Sequence, residues 1–459
     1  MYFGAEYYVE EWPRERWEYD AQLMANAGFN VVRLAELAWA LIEPKPGRYE
    51  FGWLDDAIEL LSRHGIGALL GTPTTAPPPW MLDLDPDLML VREDGYRVPY
   101  GTWGNVCLNS KAFRKRTKRI VGAMVEHYRD NPGVIGWQVD NEFGVFDRAR
   151  CYCNYCKAAF QRWLKRKYGS PRVLREAWGD SFWSHVYSEW EQIPLPRKTT
   201  TSKNNPGMVL DFARFSSDTT YDFLELQTDI LRRVDPKRFI THNFVNAGYY
   251  RLNYFRLGEL LDFVAWDNYI PLEQHTQAAL SHDIYRGAKR RNFWVLEQQC
   301  GSLFWTPYSA LPPGVVRLMS YQGIAHGADG MVYFRWRSGL IGAEQMHAGI
   351  LPHDGRPGRT YEEIRALGQE LRQLAPDLEG TTPRADVAFI LSYDSLWALE
   401  NQPHHADLDN PYQHFTSAYE HLSACRISVD FVPPKSDLSY YKLVIAPALH
   451  VVSPKVART

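Results

Sequence analysis

At 459 residues the chain is too long for one small domain and points to two or three folding units. Its net charge of −3 argues against nucleic acid or an anionic membrane surface as a partner, since both select a basic bias. The opening stretch MYFGAEYYVEEWPRERW lacks the basic and apolar regions of a signal peptide, and no window approaches the ~18 consecutive apolar residues of a membrane span, so a soluble, cytoplasmic protein is expected.

In chain order, β-rich runs recur at 1–8, 29–37, 65–73, 133–142, 238–245, 262–269, 292–299 and 330–336. Helix-like segments lie between them. WLDDAIELLSRHG sets Leu54, Ile58 and Leu61 at i, i+4 and i+7, with Gly65 suited to the helix end. SKAFRKRTKRIVGAMVEHYRDNPG reads the same way, with Pro132 and Gly133 as its stop. Strands alternating with helices predict a (β/α)₈ TIM barrel over 1–383. A doubly wound open sheet should carry a glycine-rich first turn, and YYVEEWPRE has none. The stretch 143–237 exceeds one βα unit and predicts an insertion on the barrel rim. From 384 the runs RADVAFILSYDSLWALE and YYKLVIAPALHVV suggest a second α/β domain, 384–459, which is truncated or minimal.

In such a barrel, catalytic groups belong at the C-terminal ends of strands. Glu142 ends the fourth strand and Glu297 lies near the end of the seventh, roughly opposite. A single strand-end glutamate is ordinarily a salt-bridged rim residue. Two that meet over the mouth, one protonated and one ionised, are what glycoside hydrolysis requires, and a separation of ~5–5.5 Å gives retention. Asn141 is then placed to hydrogen-bond a sugar hydroxyl beside the reacting carbon. Sixteen tryptophans and 27 tyrosines also suit a cleft that stacks sugar rings, although such rings more often fill cores and interfaces.

The run CYCNYC supplies Cys151, Cys153 and Cys156, and Cys107 lies on an earlier loop. Four thiols at this spacing, without a secretion signal, read as a structural zinc site before a disulfide set. A closed Cys₄ shell leaves no position for a catalytic water. Cys300 and Cys425 stand apart.

NPGVIGWQVDNEFG resembles the acid/base strand of the (β/α)₈ glycosidase clan, in which an Asn-Glu pair ends strand four. VVRLAELAWALIEPKPGRYEFGWLDDAI, VCLNS, CYCNYCKAAFQRWLKRKYG, FWTPYS and GAEQMHAGILPHDG follow in the order found in glycoside hydrolase family 42, the bacterial β-galactosidases, and the resemblance spans about 1–385. It implies that Glu142 is the general acid/base and Glu297 the nucleophile of a retaining exo-β-galactosidase. It further implies that Asn141 contacts the sugar, Arg33 orients a catalytic carboxylate, Tyr269 sits by the nucleophile, and Trp305 and Trp183 form the floor and a wall of the sugar site. Glu344 and His347 would bind sugar hydroxyls. The family often carries the four cysteines as a zinc site, and its second domain builds a homotrimer. One segment departs: where the family has an arginine shortly before the first cysteine, this chain reads GTWGNVC, so Trp103 or Gly104 replaces a sugar-contacting cation. Trp103 could stack on a sugar face instead. That departure keeps a related sugar open as substrate, such as a β-glucoside, β-fucoside or α-L-arabinopyranoside. A non-catalytic sugar-binding barrel is the remaining alternative, and it would ordinarily have lost one carboxylate.

Overall fold

The computed structural model describes residues 1–179, 181–201, 204–306, 310–402 and 412–458; residues 307–309 of the FWTPYS motif lie outside these. The described strands of the main sheet are β1 (Tyr2–Glu6), β2 (Val31–Leu34), β3 (Gly67–Gly71), β4 (Val134–Gln138), β5 (Phe239–Thr241), β6 (Asn243–Phe244), β7 (Ala265–Asn268), β8 (Phe293–Gln299) and β9 (Ala328–Phe334). All pair in parallel, in the order β5-β4-β3-β2-β1-β9-β8-β7-β6. The ends of that order, β5 and β6, are one stretch of chain interrupted at His242. Its first part pairs with β4 and its second with β7. The ring therefore closes through the chain itself, and the nine strands are the eight of a TIM barrel with the fifth broken. The predicted run 238–245 is that fifth strand, and β8 is the seventh.

Alternation along the strands sorts the apolar residues into two layers. Val31, Leu69, Ala265, Trp294, Leu296 and Val332 fill the barrel interior. Val32, Ala68, Leu70, Val295 and Met331 belong to the outer layer beneath the helices. A side chain at Gly330 would put its Cβ 2.3 Å from the Trp294 ring, so the interior indole needs that glycine. Arg33 is the next inward position after Val31, one step nearer the C-terminal mouth, and the alternation carries a fully buried guanidinium there.

The predicted helices form as Gly52–Arg63 and Lys111–Tyr128. The second is capped by Ser110, whose side chain accepts from the Phe113 amide. The region predicted as a rim insertion divides in two. Its last part is a helix, Pro206–Val234, capped by Asn205, that leads back into β5 and serves as a barrel helix. The remainder carries helices Asn154–Tyr168 and Pro171–Trp178, whose Phe160, Leu164 and Leu174 pack with Ile193 against Phe212 and Phe215 of that barrel helix.

Beyond the barrel helix Arg359–Leu378, a three-stranded parallel sheet forms from β10 (Val387–Ile390), β11 (Val429–Val432) and β12 (Leu443–Ile445), in the order β11-β10-β12. It docks on the barrel through polar anchors. Arg286 reaches the Val429 carbonyl at 2.7 Å and Asp430 at 3.1 Å, Tyr419 donates to Asp283 at 2.5 Å, and Arg214 grips Asp394 with two bonds of 3.0 and 2.8 Å. Among the described residues no helix is long and apolar enough to cross a membrane.

Candidate active site

The fourth strand ends at Gln138, and the next turn is unusual. Asp140 and Glu142 both adopt left-handed backbone angles, with φ of 55° and 45°. Such positions cost about 1–3 kcal/mol each and persist where surrounding bonds over-determine them. Here the bonds are present. The Asp140 amide donates to the Thr72 hydroxyl at 2.8 Å, its carboxylate accepts from the Asn141 amide at 2.8 Å and from the Thr74 hydroxyl, and Gln138 donates to its carbonyl at 2.8 Å. Asp140 is thus a buried structural acid, pushed up to about 6 by burial despite those donors. The turn aims Glu142 into the mouth.

Across the mouth, Glu297 in β8 receives three donors. Arg33 Nη1 lies 2.5 Å and Asn243 Nδ2 3.2 Å from Oε1, and the Tyr269 hydroxyl donates to Oε2 at 2.5 Å. Converging donors of this kind suit an anionic carboxylate held in one orientation. Arg33 Nη2 also donates to Asn141 Oδ1 at 2.6 Å, and Asn243 Nδ2 approaches the same oxygen at 2.7 Å. With Oδ1 doubly engaged, only Nδ2 of Asn141 remains for a substrate hydroxyl.

Glu142, Glu297 and Asp267 bring carboxylate oxygens within 4.8 Å of one another. Crowding and burial then divide the protons. Burial, and next the charge of Glu297, push Glu142 up to about 8, against the pull of Arg148 and Arg33. Burial, followed by the charges of Glu297 and Glu142, drives Asp267 well above the usual carboxylate range. Arg33 brings a cation to this acidic set, contacting Glu6 at 2.9 Å as well as Glu297. The arrangement can therefore present one anionic carboxylate and one protonated carboxyl to the same bond.

One flank of the mouth is aromatic. Tyr269 and Trp305 meet edge to face at 5.1 Å, and His347 lies 5.3 Å from the Trp305 ring and 5.8 Å from Tyr269. His347 is buried with neither ring nitrogen bonded among the described residues, and burial pulls it down to about 3, so it is neutral. Glu344, three residues earlier, is pushed up to about 7 by burial and then by Glu297. Trp305 is half-exposed at the entrance. Trp183 lies on an exposed turn of the insertion, with its ring against Phe182. Trp103 lies with its ring 3.9 Å from the guanidinium carbon of Arg148, so one of its faces is already covered.

Asn243, Asp267 and Glu6 were not singled out from the sequence, although each is buried within this network. Asn243 and Asp267 stand among the polar residues that interrupt the strand runs RFITHNFV and DFVAWDNY, and that interruption is the signal that could mark them. Asn243 donates to Asp267 at 2.7 Å and so ties the third carboxylate to the other two.

Beside the mouth, Cys107, Cys151, Cys153 and Cys156 converge with all sulfurs within 4.8 Å. Cys107 lies 3.3 Å from Cys153 and 3.5 Å from Cys156, none forms a disulfide, and Asn109 donates to Cys156 at 3.3 Å. Four buried thiols this close together fit a zinc ion, whose Zn–S bonds of ~2.3 Å place sulfurs roughly 3.8 Å apart.

Residues 6–374 match the family model described as β-galactosidase, glycoside hydrolase 42, and residues 385–459 match the β-galactosidase trimerisation domain. Among similar proteins, a β-galactosidase of Halorubrum lacusprofundi is 42% identical over all of this chain and 67% of its own length. One from Thermus thermophilus is 40% identical over 98% of this chain and 72% of its own. The crystal structure of a β-galactosidase from Bacillus circulans sp. alkalophilus superposes with a TM-score of 0.95 at 35% identity, covering 100% of this chain and 68% of that one.

Proposed function

The chain belongs to the β-galactosidase family of glycoside hydrolases, family 42, and from that premise we propose how its own residues divide the work of cleaving a terminal β-D-galactoside with retention. Glu297 is the nucleophile and Glu142 the general acid/base. In the first step a Glu297 oxygen bonds to the anomeric carbon while Glu142 passes its proton to the departing glycosidic oxygen, leaving a covalent galactosyl-enzyme. In the second, Glu142 takes a proton from water, the water oxygen bonds to the anomeric carbon, and the Glu297 ester opens. Arg33 and Tyr269 hold Glu297 in line, and Asn141 meets the sugar beside the reacting carbon. Trp305 provides the floor of the galactose site, with Glu344 and His347 as hydroxyl partners.

The observation that carries this division is the asymmetry of the two carboxyls: Glu297 accepts three hydrogen bonds, whereas burial pushes Glu142 up to about 8. A panel of nitrophenyl glycosides tests the substrate. The β-galactoside should give the highest kcat/KM, and faster turnover of the β-glucoside, β-fucoside or α-L-arabinopyranoside would overturn that choice.

We further propose that the four cysteines hold a structural zinc ion, which ties the loop of Cys107 to the insertion. The ion would supply four metal–thiolate links and no step of the reaction. Thiols kept reduced for a metal also support a cytoplasmic location. The match to a trimerisation domain supports a homotrimer, which sedimentation would test.

A further inference from the structure

Arg148 follows Glu142 on the same loop, and the division above gives it no task. Its Nε donates to the Val145 carbonyl at 2.9 Å and its Nη1 to the Trp103 carbonyl at 2.8 Å. Nη2 is buried and has no partner among the described residues. The guanidinium stacks on the Trp103 ring at 3.9 Å. It fits there because residue 104 is glycine: a Cβ at Gly104 would lie 1.6 Å from Nη1. Arg148 and Glu142 share a cavity of about 30 Å³, also lined by Thr74, Thr75, Asp140 and Asn141, which is room for roughly one water. A buried, unpaired guanidinium nitrogen facing a polar cavity of that size calls for a bridging oxygen.

We propose that Arg148 is a positioning residue for the acid/base: seated on Trp103 in the space left by Gly104, it holds Glu142 and its proton through the shared cavity. This rests on the assignment of Glu142 given above. Trp103 then serves as the platform for a cation and not as a platform for sugar. The electrostatics agree, since the guanidinium pulls Glu142 down against burial. Among the described residues, the other groups that face Glu142 are Glu297 from β8, Asp267 from β7, Tyr269 just after β7, Arg33 from β2, and Tyr249 and Tyr254 from the segment after β6. Of these, Glu297 pushes Glu142 up and Arg33 pulls it down.

Removing the cation should raise the proton affinity of Glu142 and weaken it as an acid. In Arg148→Met the alkaline limb of kcat/KM should move up by about one pH unit, while Arg148→Lys keeps it near the wild-type position. The loss should be about tenfold on a phenyl galactoside, which needs its leaving group protonated, and less than about twofold on a dinitrophenyl galactoside, which does not. A merely structural role would slow both alike. Gly104→Ala, which evicts the guanidinium, should shift the limb in the same direction, and the double variant should go no further than the larger single change. Should Arg148→Met melt below assay temperature, Gly104→Ala answers the question with arginine retained. A limb that disappears in Glu142→Gln but stays in place in Arg148→Met and Gly104→Ala overturns this inference alone. A limb unchanged in Glu142→Gln overturns the acid assignment and the inference with it.

Discussion

Two clusters of buried ionisable side chains sit a short stretch of chain apart, and they are built on opposite rules. Glu142, Asp267 and Glu297 come from three different barrel strands or their ends; Glu297 accepts from an arginine, a tyrosine and an asparagine, and Asp267 from that asparagine. Cys107 comes from one loop and Cys151, Cys153 and Cys156 from the start of the helix Asn154–Tyr168 and the residues before it, and the four thiols face one another, with Asn109 donating to Cys156. Unequal surroundings let neighbouring acids hold different protonation states. Equal surroundings suit a closed ligand shell. Like ligands make a clasp, and unlike neighbours make a machine that moves protons.

Perturbing each cluster separately sharpens that contrast. The largest effect should come from Glu297→Gln, which keeps the shape but removes the proposed nucleophile; turnover of nitrophenyl galactoside should fall by more than about 10⁴-fold with the melting temperature nearly unchanged. Next, Glu142→Gln should cost about 10²–10⁴-fold on a phenyl galactoside and far less on a dinitrophenyl one. In the wild type, kcat/KM must fall as pH rises through about 8, because the acid form of Glu142 is then lost; measured activity flat from neutrality to pH 9 would contradict this. Tyr269→Phe removes one charge-assisted bond from Glu297, worth about 1.5–3 kcal/mol, so kcat should drop about tenfold to a hundredfold. The smallest effect on chemistry should follow a chelator. Metal analysis should find about one zinc per chain, and stripping it should lower the melting temperature by about 5–10 °C while activity well below that temperature persists. An immediate loss of turnover at low temperature would show that the thiol cluster does more than clasp.

Much of this was legible in the sequence, for identifiable reasons. Glu142 and Glu297 stand at the ends of predicted strands, and their carboxyls do meet, while the spacing of CYCNYC marks three of the four thiols that converge. What stayed hidden depends on neighbours distant in the chain. Asn243 and Asp267 are polar residues in the middle of apparent core strands, and their purpose shows only when β6, β7 and β8 lie side by side. The pairing of Arg148 with Gly104 joins two loops, and an alignment of motifs sees only that a cation is missing near Cys107. The helix Pro206–Val234 was counted with the insertion because the polar stretch before it masks its return to the barrel.

The break at His242 has a consequence for how the enzyme should fail. β5 and β6 are three and two residues long, the shortest pieces of the ring, so the closure is a seam. Burial pulls His242 down to about 3, and the neutral ring donates from Nδ1 to the Val139 carbonyl at 2.6 Å while Nε2 accepts from the Phe143 amide at 3.3 Å. The same side chain thus stitches the seam and fastens the residue next to the acid/base. Parting the seam would scatter the carboxyls while most of the barrel still stands. Rising denaturant should therefore silence turnover before tryptophan fluorescence changes, and amides of 239–244 should exchange sooner than those of β8. The seam is the fuse of this barrel.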